Sequence, residues 1–260
     1  MWAGKTALIT GASAGLGREF ALQLASRGVR LCLVGRRAGL LQQIAAEISQ
    51  QSGTKVEVIA MDLAEPLAAQ DLLAETRLRG LSVDILVQAA ALSLLGEFLD
   101  NDERSEEAAM QLNVLTLTQL THLYVAEMLE RASNGMVLLV SGVSGFQPVP
   151  EMAVFAASKA YVQHLGEALA YELKDQGITV TVLVPGGLPG SLEIEAGIVR
   201  KSQTCWTSVV TQALLGMEKG VPVVIPGRAD RASLLAKRLV PRRLLPPLFH
   251  RRLKSSVTRH

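Results

Sequence analysis

A doubly wound parallel α/β sheet is the fold class this sequence predicts, on three observations. Short β-branched or apolar runs alternate with longer stretches of helical period along most of the 260 residues. Those longer stretches can carry the chain back across a sheet, so that each strand runs parallel to the last. A glycine-rich turn stands directly between the first strand and the first helix. Strands are predicted at residues 5–10, 30–34, 55–61, 84–87, 136–141, 178–184 and 221–225, and crossover helices at 15–27, 38–51, 65–79, 103–131 and 153–176. No repeat or low-complexity linker divides them, so residues 1–227 form a single domain in this reading and 228–260 a basic amphipathic tail.

Composition bounds the rest. With 49% apolar and 19% charged residues the chain can bury a sizeable core and is neither disordered nor a charged scaffold. Cys32 and Cys205 are too few for a disulfide framework, and neither has metal-ligand spacing to His122, His164, His250 or His260, so a reduced, metal-free, cytoplasmic protein is expected. The opening Met1-Trp2-Ala3-Gly4-Lys5 runs straight into a strand pattern and predicts no secretory leader. Mean hydropathy is +0.28, yet the apolar stretches are broken at Pro148 and Pro150 and at Pro185-Gly186-Gly187, so none reads as a membrane span. Only 4% of residues are aromatic, too few to stack bases, and nucleic acid is not an expected partner.

The first strand feeds Thr10-Gly11-Ala12-Ser13-Ala14-Gly15-Leu16-Gly17. Gly11, Gly15 and Gly17 allow positive φ and close backbone approach, while the free N–H groups and dipole of the helix start favour a pyrophosphate. A bare loop of this kind can also be a turn without a ligand; its place after the first strand favours a dinucleotide, with Ser13 and Leu16 in the same turn. The second strand ends Val34-Gly35-Arg36-Arg37, where an acid would bond the ribose 2′-hydroxyl of NAD. Two guanidiniums suit a 2′-phosphate instead, so NADP(H) is the expected cofactor, with a pair of solvated arginines as the alternative. The third strand leads to Asp62-Leu63, where an adenine would be bonded.

With Asn113, Ala157-Ser158-Lys159 and Pro185-Gly186 added, these residues resemble the short-chain dehydrogenase/reductase family over residues 4–227. Gly145-Phe146-Gln147-Pro148 and Val224-Ile225-Pro226-Gly227 before a basic tail look like one bacterial branch of it. The resemblance implies a Rossmann fold and NAD(P)-dependent chemistry on alcohols and ketones. It places further cofactor contacts at Ala89, Ala90, Lys159, Pro185, Gly186 and Leu188. It also implies dimers or tetramers through 103–131 and 153–176.

Family chemistry uses a tyrosine acid/base, a lysine one helical turn later, a serine on the substrate oxygen and an asparagine in a water relay. Lys159 and Asn113 stand at two of these positions and are the catalytic candidates. The tyrosine's place holds Phe155, which has no proton to give, a loss of roughly 10²- to 10⁴-fold. The serine's place holds Gly142, with Ser141 one step off and expected on the other side of the strand. The family's Asn-Asn-Ala-Gly has become Gln88-Ala89-Ala90-Ala91, and its Pro-Gly-x-x-x-Thr has become Pro185-Gly186-Gly187-Leu188-Pro189-Gly190, with Ser191 the nearest hydroxyl. Tyr161 and His164 fall about 120° and 180° around the helix from Phe155 and do not simply replace the phenol. Ser141 and Ser144 can be catalytic or plain loop hydroxyls; Lys159 can be a ribose contact or an exposed helix lysine; Asn113 is expected to shape backbone.

Every departure touches the nicotinamide and substrate half. Three functions are compatible with that pattern. The first is a non-redox enzyme that cyclises, dehydrates or rearranges a ketide-like or acyl substrate and keeps NADP(H) as a structural part. The second is a pseudoenzyme scaffold paired with a related, active subunit. The third is a divergent NADP-dependent oxidoreductase. Net charge is +2, but residues 228–260 hold ten Lys or Arg against one acid, a local +9 that leaves −7 on the rest. That leucine-rich tail is expected to lie on an anionic membrane surface, at the inner face of a membrane, to dock on an acidic partner or on the chain's own acidic body, or to pack on a neighbouring subunit.

Overall fold

The computed structural model describes residues 2–186, 205–227, 231, 232 and 234. Seven strands make one parallel sheet: β1 (Thr6–Thr10), β2 (Arg30–Gly35), β3 (Val56–Ala60), β4 (Ile85–Gln88), β5 (Met136–Val140), β6 (Thr179–Leu183) and β7 (Val223–Val224). Their order is β3-β2-β1-β4-β5-β6-β7. The chain winds outward from β1 to one edge, then returns beside β1 and winds to the other. This reversal is what doubly wound means, and it opens a crevice beyond the carboxyl ends of β1 and β4.

The inner strands β1, β4 and β5 are buried on both faces, and β2 and β6 nearly so, which is why they read as continuous apolar runs; the edge strands β3 and β7 are only partly buried. Alternate residues serve opposite layers. Ile9, Leu31 and Leu33 face α1 (Gly15–Ala25), α2 (Ala38–Ser52) and α7 (Trp206–Glu218). Leu8, Cys32 and Val34 face α3 (Ala68–Leu78), α5 (Leu117–Glu130) and α6 (Ala153–Glu172). Cys32 is a core side chain, and burial pushes its thiol up to about 12. No described helix is long and apolar enough to cross a membrane.

Three features depart from the sequence reading. The helix expected over 103–131 is α4 (Glu103–Met110), then one π turn (Gln111–Thr116), then α5. Helix α7 was not anticipated. The last strand is shorter than expected: Pro222 brings no N–H to a ladder, and β7 pairs only with β6, at Val182↔Val223 and Leu183↔Val224.

Candidate cofactor cleft and catalytic corner

A cleft of about 240 Å³ lies over the carboxyl ends of β1 to β4. Gly11, Ser13, Arg36, Arg37, Asp62, Leu63, Ala89 and Ala90, scattered along the sequence, all line it. Two glycines make the approach of its walls feasible. Gly11 has φ +68°, and a Cβ there would lie 2.8 Å from the Ala90 backbone. A Cβ on Gly17 would stand 2.3 Å from the Gly11 carbonyl oxygen, so α1 can dock against the loop only without one. Gly15, Leu16 and Gly17 do not line the cleft; Leu16 packs into the apolar layer. The indole of Trp206, at the start of α7, comes within 3.5 Å of where a Gly15 Cβ would be. Nothing in the spacing of the sequence marked Trp206 as a neighbour of this loop.

The arginines are held in place. Arg37 Nη2 donates to Ser13 Oγ at 2.9 Å, tying the end of β2 to the glycine-rich turn. Arg36 lies 3.7 Å from Asp62, whose Oδ1 accepts from the Ala64 N–H. Both guanidiniums are solvent-exposed at the polar rim of the cleft and keep donors free for a phosphate.

The other half of the site lies where β5 meets α6. Lys159 is not an exposed helix lysine: it is 5% exposed, and its Nζ donates to the Val140 carbonyl at 2.9 Å. Burial brings its amine down to about 8. One helical turn earlier the Phe155 ring stands with its centroid 5.4 Å from that Nζ, a cation–π distance. Ser141 is buried and donates to the Lys159 carbonyl at 2.8 Å, a backbone tie. Gly142 is extended, and a Cβ on it would meet only Ser144 Oγ at 3.5 Å and the Pro185 carbonyl at 3.9 Å. Pro185 also accepts from the Val143 N–H at 3.2 Å, and Gly186 is next in the chain. Leu188 and Ser191 lie outside the described residues.

Asn113 sits in the π turn and clamps backbone, as expected. Its Oδ1 accepts from the Leu92 N–H at 2.9 Å, and its Nδ2 donates to the Leu92 carbonyl at 2.8 Å and to Ser158 Oγ at 3.2 Å. It thereby fixes the chain leaving β4 against α6. Tyr161 pairs with Thr118 at 2.9 Å, and His164 Nδ1 lies 2.8 Å from the Ala160 carbonyl.

The sequence model of the short chain dehydrogenases matches residues 5–196, most of the chain, including the glycine-rich turn, Asn113 and Lys159. The chain belongs to this family. Among curated relatives of this short-chain dehydrogenase, the 7beta-hydroxysteroid dehydrogenase of Clostridium sardiniense is 32% identical over 183 residues, which is 70% of this chain and 69% of that protein. The very-long-chain 3-oxoacyl-CoA reductase of Anas platyrhynchos is 32% identical over 186 residues, 70% of this chain but only 59% of the reductase. Among solved structures, one from a study of 7beta-hydroxysteroid dehydrogenase stereoselectivity superposes with a TM-score of 0.81 at 28% identity, covering 90% of this chain and 91% of the other. A short-chain dehydrogenase from Sphingobium yanoikuyae in complex with NADPH gives 0.79 at 30% identity, covering 90% and 93%. The scaffold is thus that of nucleotide-dependent oxidoreductases.

Proposed function

We propose that this short-chain dehydrogenase binds NADP(H) in the cleft over β1 to β4 and does not carry out the hydride transfer ordinary in its family. The observation that carries the second half is Phe155. It stands one helical turn before a buried lysine, and its ring, not a phenol, meets that ammonium. Hydride is what the cofactor supplies when bound; the protein must supply the matching proton, and Phe155 has none. Gly142 likewise offers no hydroxyl to hold a carbonyl oxygen, while Ser141 is turned to backbone.

The binding half rests on Arg36, Arg37 and Ser13. Arg37 is bonded to Ser13 and Arg36 lies 3.7 Å from Asp62, so both exposed guanidiniums stand at the rim where a 2′-phosphate would lie. Lys159, Pro185, Gly186 and Leu188 are the candidates for the nicotinamide end. The first assignment is a non-redox conversion of an acyl or ketide-like substrate, with the nucleotide as part of the wall. A nucleotide-binding scaffold for an active relative is favoured by one observation: the Lys159 amine and the Ser141 hydroxyl are both committed to backbone carbonyls. Assembly of either kind would use α5 and α6, where Leu115 and Tyr161 remain exposed nearby.

Titration calorimetry with NADPH and NADH tests the binding half, with tighter NADPH binding expected. Consumption of NADPH with 3-oxoacyl thioesters, ketosteroids and simple ketones tests the other half, and none above background is expected. Robust turnover by the unmodified protein would establish a divergent oxidoreductase instead. Mass spectrometry of ligands that co-purify with the protein separates the enzyme from the scaffold, an acyl or ketide-like compound pointing to the enzyme.

A further inference from the structure

We propose that Trp206 is a positioning residue for the diphosphate of the dinucleotide: its indole backs the glycine-rich turn and holds the start of α1 in the shape that presents its N–H groups. This role rests on the reading above that the cleft takes a dinucleotide, and it adds a residue that the turn's own motif does not contain. The start of α1 has little else to hold it. Its N-cap is Ala14, which brings no side-chain acceptor, and its first turn carries no acid. The first helical residue, Gly15, has φ +52°, a left-handed conformation at the head of a right-handed helix. Glycine adopts that conformation at no steric cost and leaves it as readily. The ring confines it. Cη2, Cζ2 and Cζ3 of Trp206 lie 3.5, 3.7 and 3.9 Å from the point where a Gly15 Cβ would stand, which are van der Waals contact distances.

The indole is itself held. Trp206 opens α7 and, like Leu16, packs on the apolar layer beneath α1. The residues after it tie α7 to α1: Gln23 Nε2 donates to the Thr207 carbonyl at 2.9 Å, and Thr211 Oγ1 donates to Gln23 Oε1 at 3.0 Å. Gln23 Nε2 also donates to Glu19 Oε1 at 2.9 Å, so one carboxamide joins α1 to the beginning of α7. At the far end of α7, Trp2 Nε1 donates to Glu218. Helix α7 is therefore fixed at both ends, and the ring it carries cannot shift away from Gly15 without breaking those bonds. Residues 235–260 of the basic tail lie outside the described residues, and nothing in this contact draws on them. Neither Gly15 nor Trp206 lines the cleft, so the ring acts through the turn and not by touching the ligand. A turn held in shape beforehand has less freedom to lose on binding. A ring against it also keeps water from one side of its peptide groups, which strengthens the bonds they make to an anion. Both effects act on the diphosphate, which NADPH and NADH share, and not on the 2′-phosphate at Arg36 and Arg37.

Titration calorimetry with NADPH, NADH and 2′-AMP is run on the parent, on Trp206→Ala and on Trp206→Phe. Trp206→Ala should weaken NADPH and NADH by the same factor, about tenfold, and leave their ratio unchanged. The ligand 2′-AMP has the 2′-phosphate and no diphosphate, so its affinity should not move, an outcome that a general loss of fold would not allow. Trp206→Phe keeps an aromatic face against Gly15 and should recover most of the loss. The chain holds two tryptophans, so in a Trp2→Phe background Trp206 is the one indole left. Its emission should change on adding ADP-ribose, which has a diphosphate and no nicotinamide, and stay constant with 2′-AMP. Equal dinucleotide affinity in the parent and Trp206→Ala overturns the positioning role. So does an equal loss of 2′-AMP binding, which would make Trp206 a plain core residue, or a loss confined to NADPH, which would place the ring with the arginines. A parent that binds neither dinucleotide overturns the cofactor assignment itself, and this role with it; a parent that binds both, with a Trp206→Ala variant that binds them as tightly, overturns the role alone.

Discussion

Among the described residues, Lys159 has a single backbone acceptor and the face of the Phe155 ring beside it, and burial lowers its amine from 10.5 to about 8. Its folded value lies below its unfolded one. Between about pH 8 and 10.5 the unfolded chain therefore holds a proton that the folded chain lacks, and stability rises with pH across that window. A Lys159→Met variant has no such proton, so its stability relative to the parent should fall by roughly 3 kcal/mol from pH 7 to pH 11. Urea melts of both proteins at the two pH values read this directly, and a constant difference would mean that the amine is solvated. The same corner can be rebuilt. Gly142 has extended backbone and room for a side chain, and Phe155 is one hydroxyl short of a tyrosine. Phe155→Tyr with Gly142→Ser should bring NADPH oxidation with ketones above background, whereas each change alone should do little, because groups that act as a unit are not additive. Activity in the Gly142→Ser single variant equal to the double would place the proton donor elsewhere.

At the scale of elements, the π turn carries the least expected part of the site. Helical periodicity runs through 103–131 without interruption, since a π turn changes the register by one residue and leaves composition alone. Only a buried polar residue in that run signalled it. Asn113 makes three hydrogen bonds to Leu92 and Ser158, so Asn113→Ala strands the part-buried N–H and carbonyl of Leu92. A loss of about 2–4 kcal/mol is expected, and amide exchange at Leu92 should quicken far more than at β4 itself. Uniform quickening throughout the sheet would make Asn113 a general core residue and not a clamp. The inner strands, by contrast, were legible to within a residue or two at most ends, because full burial on both faces writes an apolar run into the sequence. Helix α7 was missed although Val209, Val210, Ala213, Leu214 and Met217 bury one face of it and Thr207, Ser208, Thr211 and Gln212 fall on the other, a helical period that the sequence does carry. The cleft residues were legible because each comes just after a strand, at the edge where a doubly wound fold gathers them. Trp206 was not, since its contact with the glycine-rich turn is made across α1 and α7, far apart in the chain.

For the whole molecule, the consequence of that gathering is linkage between cofactor and stability. The cleft touches the chain ends of β1, β2, β3 and β4, which adjoin only in the folded sheet, so a dinucleotide bound there has no counterpart site in the unfolded chain. Saturation at a hundred times the dissociation constant then adds about 2.7 kcal/mol to folding. In a domain of this size that raises the melting temperature by about 5–10 °C. The proposed 2′-phosphate contact at the end of β2 predicts an unequal effect for the two dinucleotides. Arg36 and Arg37 have a 2′-phosphate to grip in NADPH and a neutral hydroxyl in NADH, so at equal concentration NADPH should give the larger rise. Replacing both arginines by Ala should shrink the NADPH rise to that of NADH, leaving the NADH response unchanged because Gly11 and Ser13 still form the turn. Thermal melts of the two proteins with each cofactor measure all four values. Equal rises in the parent, or a preference for NADPH that outlives both arginines, would remove the 2′-phosphate from Arg36 and Arg37 and place cofactor choice in another part of the cleft.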